Sequence, residues 1–346
     1  MLAPYGAPVQ LFSSANALAG GLAVLVLAAP AAVPAAADGP ARLTEHPRSF
    51  IGPDGTTYDS APLTVPGRDG ELYYGPDFDV ACGLGSRTAD GLRQVARLAW
   101  VIEHSGRTVV WTIAPDKTTV VPDDLPEPMP HGACDSAGFD MVRRALDGVD
   151  DSSFLPLRAR LAGSRHQSYF KTDTHWTTVG GSIFAKAVAR RLAPKVARLQ
   201  SYVFGTEQRV GNLNYFAGNL ELETAETAMP TTRVKVRTAR TSADQLFAGY
   251  PQLTNDYTWN SRPARRTVPG DTVVIGDSFT MFALDSLMPL FERGRFLWRG
   301  KAGNKTEFRA IKRADTVVIE VNQLLASLGS SAADPDYRKR LRRFLR

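Results

Sequence analysis

The segment TVVIGDSFTMF, residues 272–282, predicts a buried strand that runs through a tight turn directly into a helix. Its first four residues are β-branched or apolar, as in strands that are covered on both faces of a parallel sheet, and Gly276 permits the turn. The turn lifts the hydroxyl of Ser278 to a helix N-terminus, where backbone N–H groups can stabilise an oxyanion. Ser278 is therefore a candidate nucleophile, although Ser and Asp also occur at helix starts simply as caps.

The rest of the chain alternates between strand-like and helix-like segments. Buried strands are predicted at residues 108–115 (TVVWTIAP) and 314–322 (ADTVVIEVN), and helices at residues 90–105, 179–194 and 279–294. Between residues 199 and 266 the pattern weakens into Asn, Thr and Gly, which indicates a long irregular excursion, with room for short strands, over the active-site end of the sheet. The alternation predicts an open α/β sheet, and in such sheets chemistry gathers at the carboxyl ends of the strands.

The segment YFKTDTHWTTVGG, residues 169–181, places a carboxylate and an imidazole two residues apart. Residues two apart in an extended chain point the same way, so Asp173 can hold Nδ1 of His175 and leave Nε2 for the hydroxyl of Ser278. Of the five histidines, His175 alone has such a carboxylate on a segment that leads into a helix. An isolated Asp-x-His pair is more often a surface hydrogen bond, but together with the Gly-Asp-Ser turn it predicts a triad.

Several neighbours of these residues are candidates for binding substrate or stabilising an oxyanion. Trp176 offers either a face for stacking on sugars or a core wedge that fixes the His175 loop, and a core wedge is favoured because a buried aromatic ring contributes much apolar area. Asp277 is better explained by turn chemistry than by catalysis. Glu320 and Asn322 share one face of a strand end, where they either position the reacting groups or cap the strand. The candidates are Gly276, Asp277, Trp176, Glu320 and Asn322. A side-chain oxyanion donor stays open among Asn304, Asn322 and Asn212.

The charge of the chain does not indicate a nucleic-acid partner. The formal net charge is +6, but arginines and lysines concentrate in the last residues, YRKRLRRFLR, and the remainder is close to neutral. No basic stripe alternates with aromatic residues, so nucleic-acid binding is set aside. The basic tail, residues 337–346, predicts a short helix that either holds anionic lipid or glycan, or is simply a solvated terminal helix.

We predict that residues 1–38 are a signal peptide or a membrane anchor and that residues 39–346 form a single catalytic domain. The run ANALAGGLAVLVLAAPAAVPAAA, residues 15–37, is uncharged and Ala-rich, which is typical of an export signal or a membrane anchor, with a buried core helix as the alternative. The segment therefore predicts an extracytoplasmic location, periplasmic, cell-surface or secreted, with possible contact to a membrane surface.

The two cysteines agree with export. Cys82 and Cys134 are the only cysteines, and a pair in an exported chain is most simply a disulfide, with free thiols as the alternative. His131 lies three residues before Cys134, but one histidine and two cysteines at this spacing fall short of zinc-ligand patterns. We predict no metal and no cofactor.

The motifs TDTHW and IGDSF together resemble the alginate O-acetyltransferase group of SGNH-hydrolase-like proteins, the AlgJ/AlgX type. In that group the Asp-x-His pair precedes the serine block, as Asp173 and His175 precede Ser278 here. Two weaker likenesses extend the match over residues 65–322. They are VPGRDGELYYG (residues 65–75), a predicted hairpin or edge strand in which Glu71 replaces the usual tryptophan, and the Pro-x-Lys segment IAPDKTTVVPDDLP (residues 113–126).

The resemblance implies an α/β/α sandwich with a mostly parallel central sheet and a permuted motif order. It further implies an O-acetyltransferase for an extracytoplasmic polysaccharide, with Ser278 carrying the acetyl group, His175 as base and acid, and Asp173 orienting it. A membrane-embedded partner would supply the acetyl groups. The alternatives are an acetylesterase with the same triad, in which water attacks the acyl-enzyme, and a noncatalytic glycan-binding or assembly protein.

Overall fold

The computed structural model describes residues 49–240, 257–298, 305–328 and 335–346. The strands are β1 (Ser49–Ile51), β2 (Thr57–Asp59), β3 (Thr64–Pro66), β4 (Leu72–Tyr74), β5 (Thr108–Ala114), β6 (Tyr202–Arg209), β7 (Glu223–Pro230), β8 (Lys235–Arg240), β9 (Tyr257–Arg262), β10 (Val268–Gly276), β11 (Phe291–Trp298) and β12 (Thr316–Asn322). The helices are α1 (Gly75–Leu84), α2 (Thr88–Glu103), α3 (Lys117–Val120), α4 (Ala133–Asp147), α5 (Arg158–Ala162), α6 (Thr178–Leu192), α7 (Pro194–Ala197), α8 (Asn212–Phe216), α9 (Ser278–Leu287), α10 (Lys305–Arg313), α11 (Gln323–Ser327) and α12 (Pro335–Leu345).

A six-stranded sheet in the order β5-β12-β10-β11-β9-β8 forms the centre of the fold. The first four strands run parallel to one another, and β9 and β8 continue the sheet antiparallel at one edge. The order confirms the predicted α/β fold with a mostly parallel sheet. Because neighbouring parallel strands end at the same edge, the ends of β5, β10 and β12 bring their following loops together there.

Helices cover both faces of this sheet, as the doubly apolar strands require. Two adjacent residues of β5 illustrate the division. Trp111 belongs to the core cluster that includes residues of α2, α4, α10 and α12, whereas Val110 belongs to the cluster that includes residues of α5, α6 and α9. Both residues are almost completely buried. The molecule is therefore an α/β/α sandwich, and α6 and α9, which carry the segments around His175 and Ser278, lie on the same face.

A disulfide joins Cys82 of α1 to Cys134 of α4, so the predicted pairing is present. Beside it, the carboxylate of Asp135 is 2.8 Å from Nδ1 of His131. Cys82, His131 and Asp135 lie close enough together to suggest a metal site, but the sulfur of Cys82 is bonded to Cys134 and offers no thiolate ligand. The cluster is a structural anchor between α1, α4 and β2, whose Asp59 carbonyl lies 3.0 Å from Nε2 of His131.

The structure corrects the helix predicted at residues 279–294. Helix α9 ends at Leu287, and β11 begins at Phe291 and pairs parallel with β10 inside the sheet. The charges of β11 concealed the strand, and one of them, Arg293, is paired with Asp271 of the neighbouring β10. Gly294 has no side chain because the ring of Trp259 from β9 occupies the space that a Cβ would need.

The segment at residues 199–266 is more regular than the sequence suggested. Strands β6 and β7 form a hairpin with eight paired residues on each side, and β8 and β9 extend the central sheet. Its Thr-rich and Asn-rich composition belongs to strands with one face in solvent rather than to irregular chain. The expectation that this segment reaches the active-site end of the sheet is correct for β6 and α8, as shown below.

The basic tail forms α12, and the protein itself covers its apolar side. Tyr337, Leu341 and Leu345 are buried against α2 and α10. These residues are therefore not available for insertion into lipid. Within the described ranges no helix has the length and apolarity needed to cross a bilayer. The predicted export signal or anchor at residues 1–38 and the candidate Asn304 lie outside the described residues.

We expect the disulfide to contribute substantially to stability. It closes a loop with a sequence separation of 52 residues, for which the entropy of the unfolded chain gives about 4 kcal/mol. In urea titrations, the free energy of unfolding of a Cys82→Ser/Cys134→Ser variant should be lower than that of the wild type by a large part of this amount. Reductant should lower the wild-type midpoint and leave that of the variant unchanged, and a wild-type protein whose thiols react freely without reductant would contradict the pairing.

Candidate active site

Ser278 stands at the first position of α9, immediately after β10 ends. The preceding Asp277 caps the helix, since its Oδ1 accepts from the N–H of Phe279 at 3.0 Å. Gly276 is required by space, because a Cβ there would lie 2.1 Å from Oγ1 of Thr280. At this helix position the N–H of Ser278 has no carbonyl partner within the helix, so it is available to an oxyanion. Strand, glycine and cap thus present the hydroxyl at the sheet edge, as the sequence predicted.

The structure brings the three predicted triad side chains into one relay. Nε2 of His175 lies 2.7 Å from Oγ of Ser278, and Nδ1 of His175 lies 2.7 Å from Oδ1 of Asp173. The same Asp173 oxygen accepts from the backbone N–H of His175 at 3.0 Å. The carboxylate therefore fixes both the ring and the backbone of His175, and the relay has the geometry of a serine nucleophile with its base and orienting acid.

The second oxygen of Asp173 is held by β6 and α8. It accepts from Nη2 of Arg209 at 3.2 Å and from the backbone N–H of Asn212 at 3.0 Å. Burial by itself raises the pKa of Asp173, but the charge of His175, the hydrogen bonds from His175 and the charge of Arg209 lower it well below its usual range. Asp173 is therefore an anion at every pH at which an enzyme works, which suits stabilisation of an imidazolium.

Aromatic side chains pack around the imidazole. The ring of His175 lies between those of Phe279 and Phe282, with centroids 4.9 and 5.0 Å away. The guanidinium of Arg209 covers the rings of Phe170 and Phe282. These contacts restrict the ring of His175 to the orientation in which it meets Ser278.

Trp176 is a core residue rather than a face for stacking on sugar. Its side chain is completely buried, and its Nε1 donates to the carbonyl of Phe279 at 2.8 Å. It also makes an edge contact with the ring of Phe279. Trp176 therefore links the His175 segment to the Ser278 helix, and the alternative of a core wedge describes it correctly.

Glu320 and Asn322 support the Ser278 turn from β12. Glu320 accepts from the backbone N–H of Asp277 and from Oγ1 of Thr280, and burial together with the charge of Asp277 raises the pKa of Glu320 well above its ordinary value. The N–H of Asn322 donates to Oδ2 of Asp277, and its Oδ1 caps α11. Asn322 is thus a strand-end cap. It also lines the cavity in front of Ser278, whereas buried Glu320 does not.

A cavity of about 210 Å³ opens in front of Ser278 and His175. Its described lining comprises Tyr74, Asp77, Asp116, Thr174, His175, Asn212, Phe216, Ser278, Phe279, Asn322 and Leu324. Asp77 and Asp116 are buried. Burial raises the pKa of both, for Asp77 with the charge of Asp116 as the next cause, and the pKa of Asp116 reaches about 8.

The two weaker likenesses in the sequence meet beneath this cavity. Lys117 is buried and lies 2.6 Å from Glu71, which follows the hairpin turn between β3 and β4. Its Nζ also donates to the carbonyls of Leu72 and Lys171, so one ammonium connects the hairpin to the segment that carries Asp173. Glu71, where the resemblance led to the expectation of a tryptophan, is the ionic partner of that lysine.

Sequence reasoning missed several residues of this site. It gave Arg209 no role and offered Asn212 only as an oxyanion donor, whereas the Asn212 side chain bonds Thr174 and its backbone bonds Asp173. It also passed over Asp77 and Asp116. The Pro-Asp-Lys sequence directly after β5 was the available signal for Asp116, because that loop must lie at the same sheet edge as Ser278.

Comparison with known proteins agrees with the motifs and the fold. The family described as SGNH hydrolase-like domain, acetyltransferase AlgX, matches residues 64–254, more than half of the chain. The chain is 28% identical over 141 residues to a protein of Pseudomonas syringae pv. tomato named probable alginate O-acetylase AlgJ. That alignment covers 40% of this chain and 35% of the relative, so the chain spans well under two thirds of the length of that relative.

Solved structures share the fold at low sequence identity. Bacillus cereus PatB1, solved with a sulfonyl adduct, superposes with a TM-score of 0.54 at 11% identity, covering 76% of this chain and 97% of that chain. A DHHW family protein from Eubacterium siraeum superposes with a TM-score of 0.52 at 15% identity, covering 80% of this chain and 98% of that chain.

The raised pKa of Asp116 predicts a pH-dependent loss of stability. A carboxyl whose pKa is higher in the folded than in the unfolded protein stabilises the fold below its unfolded pKa, and this contribution is lost as the pH rises to the folded pKa. We therefore expect the free energy of unfolding of Asp116→Asn, relative to wild type, to increase between about pH 4 and pH 8. Urea titrations of both proteins across this range measure it, and a constant difference would show that Asp116 ionises normally.

Proposed function

Because the chain belongs to the family of SGNH hydrolase-like acetyltransferases represented by AlgX, we propose that it transfers acetyl groups to hydroxyls of an extracytoplasmic polysaccharide. The observation that carries the proposal is the hydrogen-bonded relay from Ser278 through His175 to Asp173. A serine hydroxyl becomes a useful nucleophile only when a base accepts its proton, and this relay supplies the base in the required position. Family membership supplies the acetyl group as the moiety that is transferred.

In the first half-reaction Ser278 receives the acetyl group. Nε2 of His175 accepts the proton as Oγ of Ser278 attacks the acetyl carbonyl carbon of the donor. The oxyanion that forms is stabilised by the N–H of Ser278 and the N-terminus of α9, with the side-chain amide of Asn322 as the candidate second donor. The carbonyl then re-forms, the donor oxygen leaves with the proton from His175, and acetyl-Ser278 remains.

In the second half-reaction a sugar hydroxyl takes the place of the departed donor. His175 accepts the hydroxyl proton, the sugar oxygen attacks the acetyl carbon, and Oγ of Ser278 leaves and recovers the proton. Asp173 stabilises the imidazolium in both halves, while Arg209 and Asn212 keep Asp173 ionised and oriented. Attack by water would instead make the protein an esterase, so the identity of the attacking oxygen distinguishes the two activities.

The location and donor of the reaction follow from the same considerations. A disulfide between Cys82 and Cys134 is suited to an oxidising compartment outside the cytoplasm. As the resemblance to the AlgJ/AlgX group implies, we assign the supply of acetyl groups to a membrane-embedded partner. The polysaccharide acceptor is the second partner.

The triad roles predict a graded loss of activity. Ser278→Ala should abolish acetylation of the protein, and Asp173→Asn should lower kcat by roughly 10³- to 10⁴-fold because the base loses its orienting anion. Ser136→Ala, an exposed serine of α4, is the matched control and should behave as wild type. The full chain is incubated with a chromogenic acetyl ester, with and without oligosaccharides, and ester cleavage, protein mass and sugar mass are followed.

The outcomes separate the candidate functions. Acetyl groups that reach the sugar only when Ser278 is present support the transferase. Release to water alone, with every oligosaccharide left unmodified, would favour the esterase. Equal activity of wild type and Ser278→Ala would remove the triad from the reaction and return the protein to the noncatalytic alternative.

A further inference from the structure

Two carboxyl groups outside the triad share its cavity. Asp77 lies in the first turn of α1, and Asp116 follows β5 at the sheet edge where Ser278 also lies. Their side chains are 7% and 6% exposed, and both line the cavity with Ser278 and His175. The proposed reaction uses neither of them.

Asp77 lacks the hydrogen bonds that a buried carboxyl ordinarily has. Within the described ranges no group donates to its oxygens, whereas the backbone of Leu324 lowers the pKa of Asp116. A buried polar group without a partner costs free energy that a hydrogen-bond donor in the cavity would offset. The unpartnered Asp77 carboxyl, at the edge of a cavity next to the nucleophile, is therefore suited to a ligand that carries hydroxyl groups.

The charges around the pair determine what that ligand can be. Burial and the charges of Asp116 and Asp79 disfavour ionisation of Asp77, and Lys117, already paired with Glu71, opposes them. At Asp116, burial and the charge of Asp277 disfavour ionisation. At neutral pH the pair therefore retains a proton, so that its oxygens accept hydrogen bonds and one O–H donates. Sugar hydroxyls also accept and donate, and so match such a pair. A carboxylate on the ligand would meet an acidic pair, and the described lining of the cavity contains neither lysine nor arginine to neutralise it.

Aromatic surface adjoins the pair. Tyr74 and Phe216 are half-buried, line the same cavity and have ring centroids 6.5 Å apart. Aromatic faces cover the apolar faces of sugar rings while nearby carboxyl groups bind the hydroxyls. These rings take the stacking role that fully buried Trp176 cannot have.

We infer that Asp77 and Asp116 form the acceptor subsite, where they bind neighbouring hydroxyls of an uncharged sugar and disfavour a uronate. The inference rests on the proposed function, because it concerns the acceptor of the same Ser278-bound acetyl group. It separates this chain from a polyuronate such as alginate, the acceptor that its distant relatives' name indicates. Asp77 binds the sugar, and the reacting hydroxyl is thereby directed to His175 and Ser278.

The test compares acceptors of equal length that differ in charge. The full chain receives a chromogenic acetyl ester with β-1,4-linked oligomers of glucose, mannuronate or glucosamine, and the acetylated sugars are quantified by mass spectrometry. We expect the neutral oligomer to be acetylated at least about tenfold more efficiently than the uronate, because the uronate carboxylate would lie beside an acidic pair with no cation in the described lining. Equal or better use of the uronate, or a preference for the amino sugar, would overturn the assignment.

Substitution of the pair tests whether these residues cause the preference. Asp77→Asn and Asp116→Asn, which keep the shape of the side chain, should raise the acceptor KM by roughly tenfold. The burst of chromophore that reports acetylation of Ser278 should fall by a smaller factor, and the preference against uronate should narrow. Asp140→Asn, an exposed aspartate of α4, makes the same charge change outside the site and should retain the wild-type acceptor KM. An unchanged KM and selectivity in both pair variants would refute the subsite.

Direct binding keeps the inference testable if the proposed function fails. Calorimetric titration of the neutral oligomer into Ser278→Ala requires no acetyl transfer, and adding Asp77→Asn to that variant should weaken the affinity by roughly tenfold. A wild-type protein without any burst, yet with Asp77-dependent sugar binding, would reject the transferase and retain the subsite. A normal burst together with sugar binding that does not depend on Asp77 would retain the transferase and reject the subsite.

Discussion

The carboxylate of Asp277 makes the hydrogen bonds on which the rest of the site depends. One oxygen accepts from the N–H of Phe279 and the other from that of Asn322, while the N–H of Asp277 donates to Glu320. One residue therefore joins the end of β10, the start of α9 and the end of β12. These N–H groups lose water when the sheet edge is buried, so they require such partners. The hydroxyl of Ser278 is fixed because both of its chain neighbours are fixed.

His175 reaches the hydroxyl of Ser278 from a segment far away in sequence, and a second buried contact aligns the two segments. Trp176, the next residue, donates to the carbonyl of Phe279, the residue after Ser278. Two adjacent hydrogen bonds thus join the segments, one from His175 to Ser278 and the other from Trp176 to Phe279. A shift of α9 along its axis would disturb both bonds together, so tight packing protects the 2.7 Å contact between Nε2 and Oγ.

The sequence revealed what is local and concealed what depends on distant contacts. The β-branched runs predicted β5, β10 and β12, and the spacing within Asp173-Thr-His175 predicted a hydrogen bond that needs only an extended chain. Strand β11 was mistaken for helix because its charges and Gly294 make sense only beside Asp271 and Trp259. Arg209 was missed for the same reason. Nothing near it in sequence indicates that β6 passes behind Asp173, and only the fold brings them within 3.2 Å.

Asp77 and Asp116 show why an unfavourable arrangement can be informative. Apolar side chains of similar size at these two positions would avoid the cost of burying two carboxyl groups together. Two other buried acids of the chain are compensated by basic side chains, Asp173 by His175 and Arg209, and Asp135 by His131. Asp77 has no ion pair or hydrogen bond of this kind among the described residues, although the charge of Lys117 favours its ionised form, and it lies at the cavity that opens on the nucleophile. The first turn of α1 favours an acidic residue at this position, but it donates no hydrogen bond to the Asp77 carboxyl, and a hydroxyl-bearing ligand would supply one.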